Sequence, residues 1–481
     1  MILAIDQGTT GTTTALYDRK GQLVKKAYRS FKQIFPKPGW VEHDPLEIWQ
    51  TVVDTVAEIL QDTSTTITAV GITNQRETVV IWDKTTGKPI YNAIVWQCRR
   101  TADICRELRR HTYLFRIRTG LPLDPYFSGT KIKWLLDNIS GYQIGNLLFG
   151  TIDTWLIWNL TAGKKHVTDL TNASRTMLFN IRDRNWDDDL LGILKIPGSL
   201  LPEVLPSAGE FGNVETLPGL EGVPISSVAG DQQAALFGQR CFQKGQIKNT
   251  YGTGCFLVMN TGTDLIQSEK GLLTTLAIDQ DCQSCYALEG SIFIAGAAIQ
   301  WLRDELQILG DAAESEVLAT SISDNGGVYF VPAFVGLGAP HWNPEARGTI
   351  VGLTRGTNRS HLVRAALEAM AYQTCDVLSL MQKEAEVDIQ SLAVDGGATE
   401  NKFLMQFQAD ILNLPVIKPE MSELTSLGAA YLAGIQSGFW KNSGTLQSLD
   451  QNSDIFKPHM QDQERKNLLA GWKKAVQQTL R

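Results

Sequence analysis

The sequence lacks any apolar run long enough to cross a membrane. Even the stretch from Ile292 to Ile299 is interrupted by Gly and ends at Gln300, whereas a membrane-spanning helix needs about 20 mostly apolar residues. The first residues, Met1 to Asp6, carry neither a basic segment nor a small-residue cleavage site, and they fit a strand better than a signal peptide. We therefore expect a cytoplasmic protein without membrane contact.

Cysteine is scarce and irregularly spaced. Seven cysteines in 481 residues, an odd number, do not form a disulfide framework in a chain of this length. Cys282 and Cys285 have the C-x-x-C spacing of a metal or redox site, but no second Cys pair or His pair completes four ligands. The pattern favours inert thiols in a surface hairpin and a reducing compartment.

Positive charge is not in excess, and histidine is rare. The net charge of −7 favours neither a nucleic-acid partner nor an anionic membrane surface. The six histidines show no pattern typical of a catalytic triad. A small neutral substrate or a nucleotide fits this balance better.

Two short turns rich in Gly and Thr follow apolar strands, half a chain apart. The first turn, Gly8 to Thr10, follows Ile2 to Asp6, and the second, Gly252 to Gly254, follows Ile247 to Tyr251. Glycine lets backbone N–H groups approach phosphate oxygens, and Thr hydroxyls add donors. Either turn alone could be an ordinary hairpin, but together they indicate a nucleotide in a cleft between two similar halves. Asp6 could also hold Mg²⁺.

Strands and helices alternate along the chain, which predicts α/β domains. Asp44 caps a helix in which Leu46, Trp49, Val53, Val56 and Leu60 are expected to pack on a sheet. The strand Leu392 to Asp395 leads through a glycine turn into a helix, an arrangement that binds anions, although the P-loop spacing is absent. We place the domain boundary near residue 240 and expect domains of 1–240 and 241–481.

Three polar residues could handle an alcohol substrate. Asp231 follows a strand and could accept the proton of a hydroxyl that attacks a phosphate. Arg76 and Glu77 could bind hydroxyl groups from two sides, the first as donor and the second as acceptor. An adjacent Arg and Glu is otherwise typical of a solvated surface pair.

Several runs closely resemble the glycerol kinases. They are Ile5 to Thr10, Thr73 to Thr78, Asn92 to Thr101, Asp124 to Lys131, Ala229 to Ala235, Asn249 to Phe256, Val394 to Ala398 and Asn401 to Phe407. Tyr126 to Asn138 and Gly348 to Glu368 also resemble the two signatures of the wider carbohydrate kinase family. The resemblance covers nearly the whole chain. It implies two actin-like, ribonuclease H-like ATPase domains flanking a nucleotide cleft, ATP and Mg²⁺ as cofactors, and a homodimer or homotetramer.

The resemblance also implies roles for residues at matching positions. Asp231 would be the catalytic base, with Arg76, Glu77, Tyr126 and Gln232 on the hydroxyl groups of glycerol and Trp96 and Phe256 against its carbon chain. Asp6 and Asp231 would hold Mg²⁺. The nucleotide would be bound by Thr9, Thr10, Thr253, Gly296, Gln300, Gly397, Ala398 and Asn401.

One departure from the family pattern concerns position 13. Glycerol kinases usually carry an arginine seven residues after the Asp of the first turn, and this chain has Thr13. The leading hypothesis is ATP-dependent formation of sn-glycerol 3-phosphate. The alternatives are a kinase for another polyol or a ketose, and an actin-like ATPase or binding protein whose kinase activity is slow or lost because of Thr13.

Overall fold

The computed structural model describes residues 1–61, 66–343, 345–449 and 451–481. The strands in the described residues are β1 (Ile2–Gln7), β2 (Gly11–Tyr17), β3 (Leu23–Ser30), β4 (Glu42–His43), β5 (Ala69–Asn74), β6 (Val80–Asp83), β7 (Ala93–Ile94), β8 (Leu147–Gly150), β9 (Val167–Asp169), β10 (Phe179–Asn180), β11 (Asn185–Trp186), β12 (Glu203–Leu205), β13 (Ile225–Gly230), β14 (Ile247–Tyr251), β15 (Cys255–Gly262), β16 (Leu273–Ile278), β17 (Ser284–Ile292), β18 (Tyr329–Val331), β19 (Thr349–Val351), β20 (Leu392–Asp395), β21 (Val416–Pro419) and β22 (Ser453–Phe456).

The helices connect and cover these strands. In the same residues they are α1 (Pro45–Leu60), α2 (Ala102–Glu107), α3 (Thr112–Thr119), α4 (Ser128–Asn138), α5 (Ile152–Leu160), α6 (Leu170–Ala173), α7 (Asp188–Leu194), α8 (Asp231–Gly238), α9 (Gly296–Asp304), α10 (Glu314–Thr320), α11 (Arg359–Ala385), α12 (Lys402–Leu412), α13 (Leu424–Gln436), α14 (Ser443–Gln447) and α15 (Asp462–Thr479).

Two large sheets repeat one arrangement. The first has the order β13-β5-β1-β2-β3, and the second has the order β16-β17-β15-β14-β20-β21-β22. In each sheet the strand before a Gly/Thr turn pairs antiparallel with the strand after it and parallel with a later strand, as β1 does with β2 and β5 and as β14 does with β15 and β20. The prediction of two related α/β halves is confirmed.

The predicted buried face of α1 is confirmed in part, because Val56 is buried, Trp49, Val53 and Leu60 are partly buried against the core, and Leu46 faces solvent. Leu46 is 53% exposed, and the buried residues of the helix are Pro45, Ile48, Thr51, Val52, Thr55, Val56 and Ile59. Two threonines orient the helix towards β2, because the hydroxyls of Thr51 and Thr55 form 2.8 Å hydrogen bonds with those of Thr12 and Thr14 on that strand. Hydrophobic spacing alone misses a face that is partly polar.

The first sheet is covered by helices from both halves of the chain. Leu424 and Leu427 of α13 share a buried core with Ile2 and Ala4 of β1. The helix α13 also lies so close to α8 that a Cβ on Gly428 would come within 1.8 Å of the Ala234 carbonyl oxygen. The predicted division near residue 240 stays a prediction.

The chain has a local basic segment although its net charge is negative. Between Arg99 and Arg118 the chain has seven arginines. Four of them, Arg99, Arg100, Arg106 and Arg118, form ion pairs with nearby carboxylates. The expected absence of a nucleic-acid partner stays a prediction.

The described helices include none with the length and apolar character that a membrane crossing requires. Cys282 lies in the turn between β16 and β17, and Cys285 is buried in β17. Burial raises the pKa of both thiols to about 12, which disfavours the reactive thiolate.

Candidate active site

The site lies where three neighbouring parallel strands end. In register, Asp6 of β1 lies opposite Thr73 of β5, and Gly230 at the end of β13 lies opposite Asn74. Because these strands run in the same direction, their ends bring Asp6, the segment after Asn74 and the start of α8 to one edge of the sheet. Asp231 is the first residue of α8.

Arg76 and Asp231, predicted to meet, are in direct contact. The Nε atom of Arg76 lies 3.3 Å from Oδ1 of Asp231 and 3.9 Å from Oε1 of Glu77. Arg76 and Glu77 are buried, whereas the Asp231 side chain keeps 28% of its surface exposed. Glu77 has a φ of 60°, a left-handed conformation that costs a non-glycine residue free energy and recurs at functional sites. The pair is therefore not a solvated surface pair.

Sequence reasoning missed two charged residues that complete this cluster. Glu289 of β17 accepts hydrogen bonds from both Arg76 terminal nitrogens, at 2.6 and 3.0 Å. Arg175, which follows α6, donates to Glu77 at 2.6 Å and to Glu289 at 2.9 Å. A signal was present, because a Glu between Leu288 and Gly290 in an apolar strand needs a buried partner. The partner itself could not be read from the sequence.

The cluster limits what Arg76 can offer to a substrate. Three of its five N–H donors go to Glu289 and Gln233, and its Nε faces Asp231. One N–H on Nη2 is left without an acceptor among the described residues. Arg76 thus holds Asp231 in place and keeps a single donor for a hydroxyl group.

The charges in the cluster set the protonation of its acids. Two guanidinium groups lower the pKa of Glu289 to about 2, against the opposing effect of its burial. Burial raises the pKa of Asp231, although Arg76 and Lys248 act in the opposite direction. A carboxylate whose pKa is shifted towards neutrality is better suited to accept a proton from an alcohol.

Three aromatic rings form a wall beside these polar groups. Trp96 makes edge contacts with Tyr126 and Phe256, with ring centroids 5.5 and 6.2 Å apart. Trp96 and Tyr126 belong to the first half of the chain and Phe256 to the second. Burial raises the pKa of Tyr126, so its phenol stays protonated and can donate. The predicted aromatic residues are thus brought together.

Gln232 lies beside a buried lysine that sequence reasoning did not assign. The Nζ atom of Lys248 donates to Gln232 Oε1, to Thr250 Oγ1 at 2.8 Å and to the Phe256 carbonyl at 3.3 Å. Burial lowers the pKa of Lys248 to about 8. Because the Gln232 oxygen is engaged, its NH₂ group is the part that can donate to a ligand.

The first Gly/Thr turn directs its carbonyl oxygens into the protein. Each one accepts a hydrogen bond: Gly8 from Gln75 at 3.1 Å, Thr9 from Gln33 at 3.0 Å, Thr10 from Phe31 at 3.3 Å and Gly11 from Gly8 at 2.9 Å. The backbone N–H groups of Thr9 and Thr10 have no acceptor among the described residues. Outward N–H groups in a turn form a typical phosphate-binding concavity.

The second turn lies against the start of α9. The carbonyl of Gly252 accepts from Gly296 N at 3.0 Å, and that of Thr253 accepts from Ala295 N at 2.8 Å. Gln300 is exposed one turn further along α9. A Cβ on Gly396 would lie 2.3 Å from the Tyr251 carbonyl oxygen, so only glycine allows the β20 turn to approach β14.

Gly397 and Ala398 follow in that turn, with Gly397 exposed. The Asn401 side chain is already engaged, since its Oδ1 caps α12 through Leu404 N at 2.9 Å and its Nδ2 donates to Ser315 at 3.2 Å. Its predicted contact with a nucleotide would therefore have to compete with this cap.

Asp6 is suited to a cation. Its carboxylate accepts no hydrogen bond from the described residues, and burial together with Asp231 and Glu423 raises its pKa to about 8. Within the described residues no three Asp, Glu, His or Cys side chains form a metal cage. Mg²⁺ commonly binds through one or two carboxylates, water and substrate phosphates, so Asp6 and Asp231 fit that ion.

Comparisons with known proteins agree with this arrangement. The N-terminal domain model of the FGGY family of carbohydrate kinases matches residues 1–238, and the C-terminal domain model matches 247–437. Glycerol kinase 2 of Thermotoga maritima is 56% identical over 100% of this chain and 98% of its own length. A glycerol kinase of Carboxydothermus hydrogenoformans is 58% identical over 99% and 97%.

The solved structure of Plasmodium falciparum glycerol kinase with ADP superimposes with a TM-score of 0.93 and is 40% identical, covering 100% of this chain and 98% of that one. The domain models match both halves of the chain, and the relatives match over nearly their full length. The chain belongs to the FGGY family of carbohydrate kinases.

Proposed function

We propose that this enzyme transfers the terminal phosphoryl group of ATP to glycerol and forms sn-glycerol 3-phosphate. The observation that carries the proposal is the meeting of Asp231 with Arg76, 3.3 Å apart, next to Glu77 and the aromatic wall. Polar groups on one side and rings on the other suit a small polyol, whose hydroxyl groups need hydrogen bonds and whose C–H groups pack on apolar surface. The glycerol kinases among its relatives support the same substrate.

Asp231 acts as the base in this proposal. It accepts the proton of the attacking hydroxyl as the new O–P bond forms, while Arg76 fixes the orientation of its carboxylate. Glu77 is held by Arg175 through Oε1, which leaves Oε2 to accept from a second hydroxyl group. The Nη2 donor of Arg76, the Gln232 amide and the Tyr126 phenol serve the remaining oxygen atoms.

The nucleotide is held by the two Gly/Thr turns. The N–H groups of Thr9 and Thr10 and the Thr253 turn would face its phosphates, and Gly296, Gln300, Gly397 and Ala398 the adenine and ribose. Asp6 and Asp231 would hold Mg²⁺, which neutralises charge on the phosphate oxygens. A cytoplasmic location and a homo-oligomer remain part of the proposal, and the seven free cysteines fit a reducing compartment.

A substrate panel tests the assignment. The purified enzyme is given ATP and Mg²⁺ with glycerol, erythritol or xylulose, and both ADP and the phosphorylated product are measured. We expect kcat/KM to be highest for glycerol and ADP formation to depend on an acceptor. An equal or higher kcat/KM for xylulose or erythritol would assign another substrate, and ATP consumption independent of any acceptor would indicate an ATPase.

A further inference from the structure

One hydrogen bond joins the aromatic wall to the first Gly/Thr turn, Gly8 to Thr10. The indole nitrogen Nε1 of Trp96 lies 3.0 Å from Oγ1 of Thr9. An indole N–H can only donate, so the Thr9 oxygen must be the acceptor in this contact. A hydroxyl group has one proton of its own to donate, and no described residue accepts it from Thr9.

This geometry restricts the direction of the Thr9 hydroxyl group. With one lone pair of Oγ1 occupied by the indole, the O–H bond points away from Trp96. In the described part of the chain the neighbouring N–H groups of Thr9 and Thr10 also have no acceptor, whereas the carbonyls of the turn are hydrogen-bonded to the protein. The hydroxyl proton and the two amide protons are therefore available together for an anionic ligand.

We propose that Trp96 is a positioning residue for phosphoryl transfer, which aims the Thr9 hydroxyl at a phosphate oxygen, in addition to forming a wall of the acceptor pocket. The inference rests on the proposed function, because it assumes that a phosphate lies against this turn. It adds to that function that one side chain connects the glycerol site with the first Gly/Thr turn.

The surroundings of Trp96 keep its ring in this orientation. Its backbone N–H donates to Thr78 Oγ1 at 3.3 Å, and that hydroxyl donates to Gln75 Oε1 at 2.8 Å. Gln75 in turn donates through Nε2 to the Gly8 carbonyl at 3.1 Å. The backbone of Trp96 and the first Gly/Thr turn are thus joined by a continuous set of hydrogen bonds. Contacts with Tyr126 and Phe256 limit rotation of the indole.

The test separates the N–H group of Trp96 from its aromatic surface. Trp96→Phe keeps a ring in the wall and removes the donor. We expect kcat with saturating glycerol and ATP to fall about tenfold, the effect of one lost hydrogen bond, while KM for glycerol changes less than threefold. A role in packing alone predicts the opposite: a raised KM for glycerol with kcat retained.

Variants of Thr9 complete a double-mutant cycle. Thr9→Val removes the hydroxyl with little change of shape, and it should lower kcat by a similar factor. Adding Trp96→Phe to Thr9→Val should then lower kcat no further, whereas Thr9→Ser should recover kcat relative to Thr9→Val. Thermal unfolding of each variant shows whether it is folded.

Independent, multiplicative effects of Trp96→Phe and Thr9→Val on kcat would overturn the inference. So would an unchanged kcat in folded Trp96→Phe. The proposed function is judged separately, because it depends on whether the unmodified enzyme phosphorylates glycerol at all.

Discussion

The carboxylate of Glu289, on the second large sheet, accepts hydrogen bonds from both terminal nitrogens of Arg76, a residue that follows a strand of the first sheet. Both side chains are buried. Arg76 also contacts Asp231, so a residue of the second sheet holds the arginine that orients the proposed base. Removing one partner of such a buried ion pair strongly destabilises the protein, because the other charge is left uncompensated.

The first prediction concerns Glu289→Gln and pH. Since the pKa of Glu289 is lowered to about 2 in the folded protein, its ionised form stabilises the fold above its unfolded pKa, and that stabilisation is lost as pH falls from about 4.5 towards 2. At pH 7 the variant should lose up to roughly 3 kcal/mol of unfolding free energy. Urea unfolding of both proteins at several pH values should show this difference shrinking in acid.

Glu107→Gln is the matched control, because Glu107 is exposed. Its effect on unfolding free energy should be small at every pH. A deficit of Glu289→Gln that stays constant between pH 7 and pH 3 would contradict the assigned charge state.

The second prediction concerns Thr13→Arg. Thr13 lies directly opposite Asp6 in the antiparallel pair of β1 and β2, and residues in such a pair point to the same face with Cβ atoms about 5 Å apart. An arginine there would reach the first Gly/Thr turn and neutralise the negative charge that develops on the transferred phosphoryl group. We expect kcat to rise on the order of tenfold or more, measured at saturating glycerol and ATP.

Thr13→Gln provides the control of similar length without charge. A rise in kcat for both variants would point to side-chain length instead of charge. No rise for Thr13→Arg would count against the view that Thr13 makes turnover slow.

The third prediction concerns Lys248→Met. The lysine engages the Gln232 oxygen, so its removal frees the amide to rotate, and KM for glycerol should rise about tenfold, equivalent to one hydrogen bond. Because the pKa of Lys248 is lowered to about 8, the unmodified enzyme should show a rising KM as pH increases through about 8. The variant should lack this step; a pH profile that is identical in both proteins would refute the assignment.

The fourth prediction compares two helix glycines. In α13, a Cβ on Gly428 would come within 1.8 Å of the Ala234 carbonyl oxygen, whereas a Cβ on Gly192 in α7 would have no described atom within 4 Å apart from its chain neighbours and its own helix backbone. Gly428→Ala should therefore cost at least about 2 kcal/mol through overpacking, while Gly192→Ala should stabilise the protein by up to about 1 kcal/mol. Equal effects in urea unfolding would contradict the close packing of α8 and α13.

Some of these contacts were predictable and others were not. The two Gly/Thr turns were predictable from their composition and from the apolar strands before them, whereas the meeting of Asp231 with Arg76 was implied by the resemblance to the glycerol kinases. The contact of Arg76 with Glu289 depends on how two distant segments pack, and local patterns do not encode it. The buried face of α1 was predicted only in part, because Thr51 and Thr55 are polar and pack through hydroxyl pairs with β2.

The structural role of Asn401 was not predicted from the sequence. The resemblance implied only a nucleotide contact for Asn401, and the structure shows that its side-chain oxygen caps α12. The roles of the remaining nucleotide-binding candidates stay predictions.

The most direct measurement is the steady-state rate of glycerol 3-phosphate formation by Asp231→Asn beside the unmodified enzyme, with ATP and Mg²⁺. Removing a general base should lower kcat about 10²- to 10⁴-fold, with KM for glycerol little changed because the amide can still bind a hydroxyl group. The account predicts this separation of kcat from KM. A variant that keeps the full kcat would show that Asp231 does not activate the acceptor, and the proposed mechanism would be wrong.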